Sequence, residues 1–180
     1  MFNTVLALLA VGIGPAATTA PIAGTGPLVS ATAAAGIERL AFYDGTWRLT
    51  AEALATPVSK AAHISSTVAN RCTRFMQHLT CEQTVDGVPA GLLVFSFDAA
   101  TSRYASLPVA PDGSGHSAAI EVGGDGIAFP WMQEVDGKTV RFRVTNMLTT
   151  PDTIAYRKEY APDGTTWLPI ETGTEHRVGR

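Results

Sequence analysis

The stretch that decides the fold is VDGKTVRFRVTN, residues 135–146, continued by MLTTPDTIAYRKEYAPDGTTW, residues 147–167. Val140, Phe142 and Val144 alternate with Arg141 and Arg143, a period of two that places apolar side chains on one face of a strand and cations on the other. The alternation breaks at Asp136-Gly137, at Thr149-Thr150-Pro151-Asp152 and at Pro162-Asp163-Gly164. These residues tolerate or preset turn dihedrals, so the segment reads as strand, turn, strand, turn.

The same grammar extends outward in both directions. Strands are expected over 45–54, 61–74, 79–85, 91–98, 103–109, 116–122, 127–135, 138–148, 153–160 and 166–178, with Asp86-Gly87, Pro111-Asp112-Gly113 and Gly123-Gly124-Asp125-Gly126 among the intervening turns. Ten strands joined by short turns make an antiparallel up-and-down meander. A strongly twisted sheet of that size closes on itself and so removes its two unpaired edges. The expected fold is therefore all-β, a barrel whose last strand pairs with its first. Ahead of it, Ile37, Leu40 and Phe42 or Tyr43 recur at near-helical spacing, which predicts a short helix.

Before the barrel the composition changes. Val5 to Ile13 form an apolar run followed by small residues, the pattern of a secretory signal peptide over residues 1–23. Cleavage after Ala16, Ala20, Ala23 or Ala31 fits the small-residue rule, and Pro21 disfavours the second of these. The run is too short to span a bilayer, which needs about 20 apolar residues, so no membrane segment is expected once the leader is removed. Residues 24–36, rich in Ala, Thr, Ser, Gly and Pro, read as a flexible linker, leaving 37–180 as the barrel domain. Secretion or a periplasmic location follows, and the two cysteines agree. Cys72 and Cys81 flank a turn at positions that antiparallel pairing would bring opposite, within disulfide reach. Two buried thiols, or a metal site with His78, are the alternatives, the latter lacking a fourth ligand. The formal charge of −3, with 13 basic and 16 acidic residues and no basic run, leaves no footprint for nucleic acid.

Gly45-Thr46-Trp47, opening the first strand, resembles the G-x-W start of calycins, the lipocalin-like barrels. That resemblance implies a Trp packed at the closed end of the barrel beneath an Arg from the last strand, a role that falls to Arg177. The stretches 135–146 and 152–167 are similar to a bacterial family of secreted lipocalin-like domains of unknown function, which implies a fold but no reaction. A weaker similarity, to the ten-strand nitrobindin-like barrels, implies haem held by a His on the final strand. His176 is the corresponding residue, although the glycines that follow the first Trp in those proteins are replaced by Arg48-Leu49-Thr50.

Recognisable catalytic signatures are missing: no G-x-G-x-x-G, P-loop, H-E-x-x-H or G-x-S-x-G occurs. Asp112-Gly113-Ser114-Gly115-His116 holds an acid, a hydroxyl and a base, but five adjacent residues in a Gly-rich turn do not assemble a triad. Among the histidines, His63 falls on the polar face of its strand. Parity points Asn70, Asn146, Tyr156 and His176 inward, a polar set among apolar walls of the kind that orients a small ligand. The same four could instead satisfy one another with a buried water. Glu171 and Glu175 share the face opposite Leu168 and Ile170 and read as solvated. The sequence thus favours an exported binding module for a small apolar or amphipathic molecule, with no cofactor and no metal. An enzyme of isomerase or cyclase type, which would need a buried carboxylate or His of shifted pKa, and a haem barrel using His176 stand as alternatives.

Overall fold

A computed structural model describes residues 31–179 apart from Asp125, so the leader read over residues 1–23 lies outside it. A short helix, α1 (Ala31–Glu38), and a 3-10 turn (Ala41–Tyr43) lead into ten strands. These are β1 (Gly45–Ala53), β2 (Ala62–Phe75), β3 (His78–Val85), β4 (Val88–Asp98), β5 (Arg103–Val109), β6 (Ala118–Gly123), β7 (Gly126–Val135), β8 (Lys138–Thr150), β9 (Thr153–Ala161) and β10 (Leu168–Gly179). Every neighbour is antiparallel, and β10 pairs with β1 to close the barrel. Among the described residues no helix is long and apolar enough to cross a membrane.

Local chemistry explains the hairpins. Asp86-Gly87 and Asp136-Gly137 have positive φ at both residues, 52° and 79° in the first and 49° and 73° in the second. Two-residue turns of this hand match the right-handed twist of the strands they join. Cys72 and Cys81 stand opposite each other across β2 and β3 and form a disulfide, a bond that persists in oxidising compartments.

The helix begins at Ala31, inside the stretch expected to be linker, and its second half docks on the barrel: Gly36 is buried, and its carbonyl accepts the Tyr104 hydroxyl at 3.0 Å. Ile37, Leu40 and Tyr43 join Leu79, Phe95 and Ile127 in the largest buried cluster, so α1 and the 3-10 turn plug one end. Trp47 is wholly buried there, its Nε1 donating to the Tyr43 carbonyl at 3.3 Å. Arg177 lies over the indole with Cζ 4.1 Å from the ring centre, and donates to the carbonyls of Asp44 and Phe42. Its Nε is 3.0 Å from an Asp152 carboxylate oxygen. One side chain thus ties the plug, the first strand and the last strand together at the closed end.

At the other end, Val140, Phe142, Tyr160 and Ile170 form a second cluster. Between the two lies a thinner layer of Leu49, Ala51, Val144 and Tyr156. That middle layer is where the polar groups gather.

Candidate functional site

The inner lining of β10 departs from strict alternation. Pro169 pairs with Glu159 and Glu171 with Lys158, so Ile170 is an extra residue in a β-bulge. Pro169, which cannot donate to the ladder, directly precedes it. Past the bulge the facing of every side chain is reversed relative to the sequence reading. Ile170 and Glu171 are both buried, and Glu175 stands opposite the inward Leu49 and the buried Ile154.

Two expectations are corrected as a result. His176 does not face the interior: it is exposed, across from exposed Arg48, with Nδ1 3.2 Å from the Thr153 hydroxyl. Glu171 and Glu175, expected on a solvated face, point inward.

The pairing register defines the site. One inward row runs Ile64, Ala51, Gly173, Tyr156, Asn146 and Ile127 across β2, β1, β10, β9, β8 and β7. A second row sets Ser66, Leu49, Glu175 and Ile154 side by side, and a third sets Ala53, Glu171, Lys158 and Val144. Tyr156 therefore lies opposite the glycine that separates the two glutamates. A Cβ on Gly173 would sit 2.2 Å from the Thr50 carbonyl oxygen and 2.5 Å from the Ala51 Cβ, so glycine is what allows β1 and β10 to close here.

The electrostatics follow from this layout. Burial alone pushes the Glu175 carboxyl up to about 7. Glu171 is also raised by burial, an effect opposed by Lys158 across from it and by Tyr156. Burial lowers the Lys158 ammonium, and the Glu171 charge partly restores it. The Tyr156 phenol is pushed up by burial first, then by the Glu171 and Glu175 charges. Tyr43, reaching in from the plug, is held up by burial and by Glu175, while Asn146 acts in the opposite direction. Asn146 Nδ2 donates to the Tyr43 hydroxyl at 2.8 Å. Glu175 and Asn146 thus converge on one phenol.

Several polar atoms in this lining have no protein partner. Ser66 Oγ, Asn146 Oδ1 and Trp131 Nε1 are buried and unbonded, although Ser66 is only 5% and Asn146 3% exposed. Buried polar groups are normally paired, so these three orphans in one lining, apart from His78 Nδ1 and Arg177 Nε elsewhere in the barrel, require an account. Glu175 supplies part of it. It is deep enough for desolvation to dominate its titration, yet it keeps accessible surface, as do the inward Ile64, Trp131 and Lys158. Both properties describe side chains turned inward by the register but not wholly packed over.

Of the residues singled out in the sequence, Asn146 and Tyr156 meet as direct cross-strand neighbours. Asn70 lies apart, on β2, where its Oδ1 accepts from Gln83 Nε2 at 3.0 Å. The Asp112–His116 segment is a plain turn: the Asp112 carboxylate accepts from the Ser114 amide at 2.9 Å and from its hydroxyl at 2.6 Å. His63 is exposed against Glu52, as its polar-face position implied. Tyr43, Lys158, Glu171 and Glu175 were not anticipated. Lys158 shares parity with Tyr156 and could have been found that way, whereas the glutamates required the bulge, for which Pro169 was the only local signal. A separate cleft of about 190 Å³ between the plug and β6–β8 is bordered by Arg39, whose guanidinium is already bonded to the Gly124 carbonyl at 2.8 Å. Among the described residues it brings no unpaired polar groups together.

No protein-family model matches the chain, and no curated protein is significantly similar to it. Among solved structures it is similar to one described as the crystal structure of Rv2717c from M. tuberculosis, at 14% identity and a TM-score of 0.45, covering 79% of this chain and 96% of that one.

Proposed function

We propose that this protein is an exported β-barrel module that holds a small amphipathic molecule in its interior. The observation that carries the reading is the set of unpaired polar atoms, Ser66 Oγ, Asn146 Oδ1 and Trp131 Nε1, in a lining whose inward side chains keep accessible surface. Apolar walls with a few convergent polar groups are what a small-ligand site needs. The barrel provides the walls through Leu49, Ile64, Phe129, Trp131 and Val144. Export is supported by the disulfide and by the leader read in the sequence.

The test is native mass spectrometry of the full chain produced by secretion, followed by organic extraction. The expected result is a co-purified small molecule near one equivalent, or uptake of an environment-sensitive apolar dye with quenching of Trp131 emission. A chain that carries nothing and takes up no dye would remove the proposal.

A second reading rests on Glu175. A carboxyl that titrates near neutrality beside a Tyr hydroxyl can take a proton from one position of a bound molecule and return it at another, the step an isomerase or cyclase needs. Turnover of a bound compound that stops in Glu175→Gln, with the compound still retained, distinguishes this reading from simple binding.

A further inference from the structure

We infer that the polar head of the interior ligand is a cation, a primary alkylammonium, seated against Glu175 with its apolar body along the aromatic wall. This rests on the binding reading above and specifies the chemistry of the same site.

The charge inventory of the lining leads there. On β10 the inward ionisable groups are Glu171, Glu175 and Arg177, and on β9 there is Lys158. Lys158 stands directly opposite Glu171, so that carboxylate has a cation facing it. Arg177 is committed to the closed end by two carbonyls, Asp152 and the Trp47 ring. The side chains facing Glu175 are Leu49 on β1, Ile154 on β9 and Tyr43 on the plug, none of them cationic. Among the described residues Glu175 has neither a salt bridge nor a side-chain hydrogen bond. It is the one inward carboxyl without a counter-charge.

Of the neighbouring orphans, one is an obligate acceptor, the Asn146 amide oxygen. Asn146 spends its amide NH₂ on Tyr43 and leaves Oδ1 without a donor. Ser66, two strands from Glu175 and hence about 10 Å away along the sheet, leaves Oγ without a partner. The carboxylate and the Asn146 amide oxygen are acceptors and call for a ligand head that donates; the Ser66 hydroxyl can serve either way, and Trp131 Nε1, a donor, takes no part in seating the head. A primary ammonium has three N–H donors and no acceptor. Phe129, Trp131, Phe142 and Tyr156 supply aromatic faces, and Trp131 and Phe142 stack at 5.4 Å. Such faces attract cations and accept alkyl chains equally well. An anionic head would meet two glutamates and a single lysine already facing one of them. A neutral head would leave Glu175 uncompensated.

The experiment is calorimetric titration of the full chain with three probes of one chain length: decylammonium, decanol and decanoate. At about pH 8, where Glu175 is ionised, decylammonium is expected to bind about tenfold more tightly than decanol, and decanoate most weakly. Lowering the pH to about 5.5 protonates Glu175 and should erase the preference for the amine, which itself stays charged throughout. In Glu175→Gln the amine should fall to the level of the alcohol, with decanol affinity within about twofold of wild type. Should that variant fail to fold, the probe ranking and its pH dependence in the wild-type chain decide the matter alone. Decanol or decanoate binding as tightly as the amine at about pH 8 overturns the cationic head and leaves the pocket standing. Failure of all three to bind overturns both.

Discussion

The closed end of the barrel and its middle layer are built from the same strands and satisfied to different degrees. At the closed end Arg177 finds two carbonyls, an ion pair with a carboxylate and an indole face, leaving its Nε alone without a hydrogen bond, while Trp47 reaches the Tyr43 carbonyl. One turn of side chains further in, Glu175 has no counter-ion and Ser66 and Asn146 keep unbonded oxygens. Stability selects for the first arrangement, because an unpaired buried polar group costs about 1–3 kcal/mol. A cluster of such groups in the second region marks the part of the interior that is arranged for something other than folding.

The largest test of that contrast is Trp47→Ala. It empties the closed end and should lower unfolding stability by about 3–5 kcal/mol in urea titration. An effect below about 1 kcal/mol would show that the plug does not hold the fold together. The middle layer should behave in the reverse sense. Glu175 has an unfolded pKa near the ordinary 4.5 of a glutamate and a folded one of about 7, so the folded state holds its proton more tightly. Stability is then highest below about pH 4.5 and falls as the pH rises to about 7, by at most roughly 3 kcal/mol, beyond which the term is constant. Glu175→Gln should remove that slope and be more stable than wild type at neutral pH without ligand. A neutral-pH loss of stability in the variant would place Glu175 among the structural groups instead.

Reducing the disulfide, or replacing Cys72 and Cys81 by serine, should cost about 2–3 kcal/mol from the short loop it closes. It should leave probe binding unchanged, because Cys81 packs with the plug cluster and away from Glu175. The smallest effect belongs to His176→Ala, which should alter stability by less than about 0.5 kcal/mol and leave ligand uptake as it was, since its ring lies outside. A loss of binding in that variant would contradict the outward facing of β10.

What the sequence reveals divides along the range of the signals. Strands and turns were legible because alternation and Asp-Gly pairs act over a few residues: β5 runs Arg103–Val109 and β8 starts at Lys138, both as expected. The disulfide was legible for the same reason, Cys72 and Cys81 lying in one hairpin. The face of His176 was not. It depends on an extra residue six positions upstream, and that bulge is fixed by how β10 pairs with β9, which no window of β10 contains. Lys158 escaped notice for a different reason. A long cation on a strand is ordinarily solvated, and only Glu171, itself turned in by the bulge, gives it a reason to face inward. Tyr43 reaches the site from the plug, a tertiary contact between Tyr43 and Asn146 spanning 103 residues.

The single surplus residue at Ile170 decides which face of the final stave the chamber sees. Taking it out would leave Glu171 opposite Lys158 and Glu175 opposite Leu49, so the acidic lining and the contact of Arg177 with the Trp47 ring would survive; pairing Ile170 itself with Lys158, a slip of one residue, would instead turn Thr172, Thr174 and His176 inward. Relatives alike in outline but paired one residue out of step along this stave would therefore enclose a differently charged chamber and need not share a cargo.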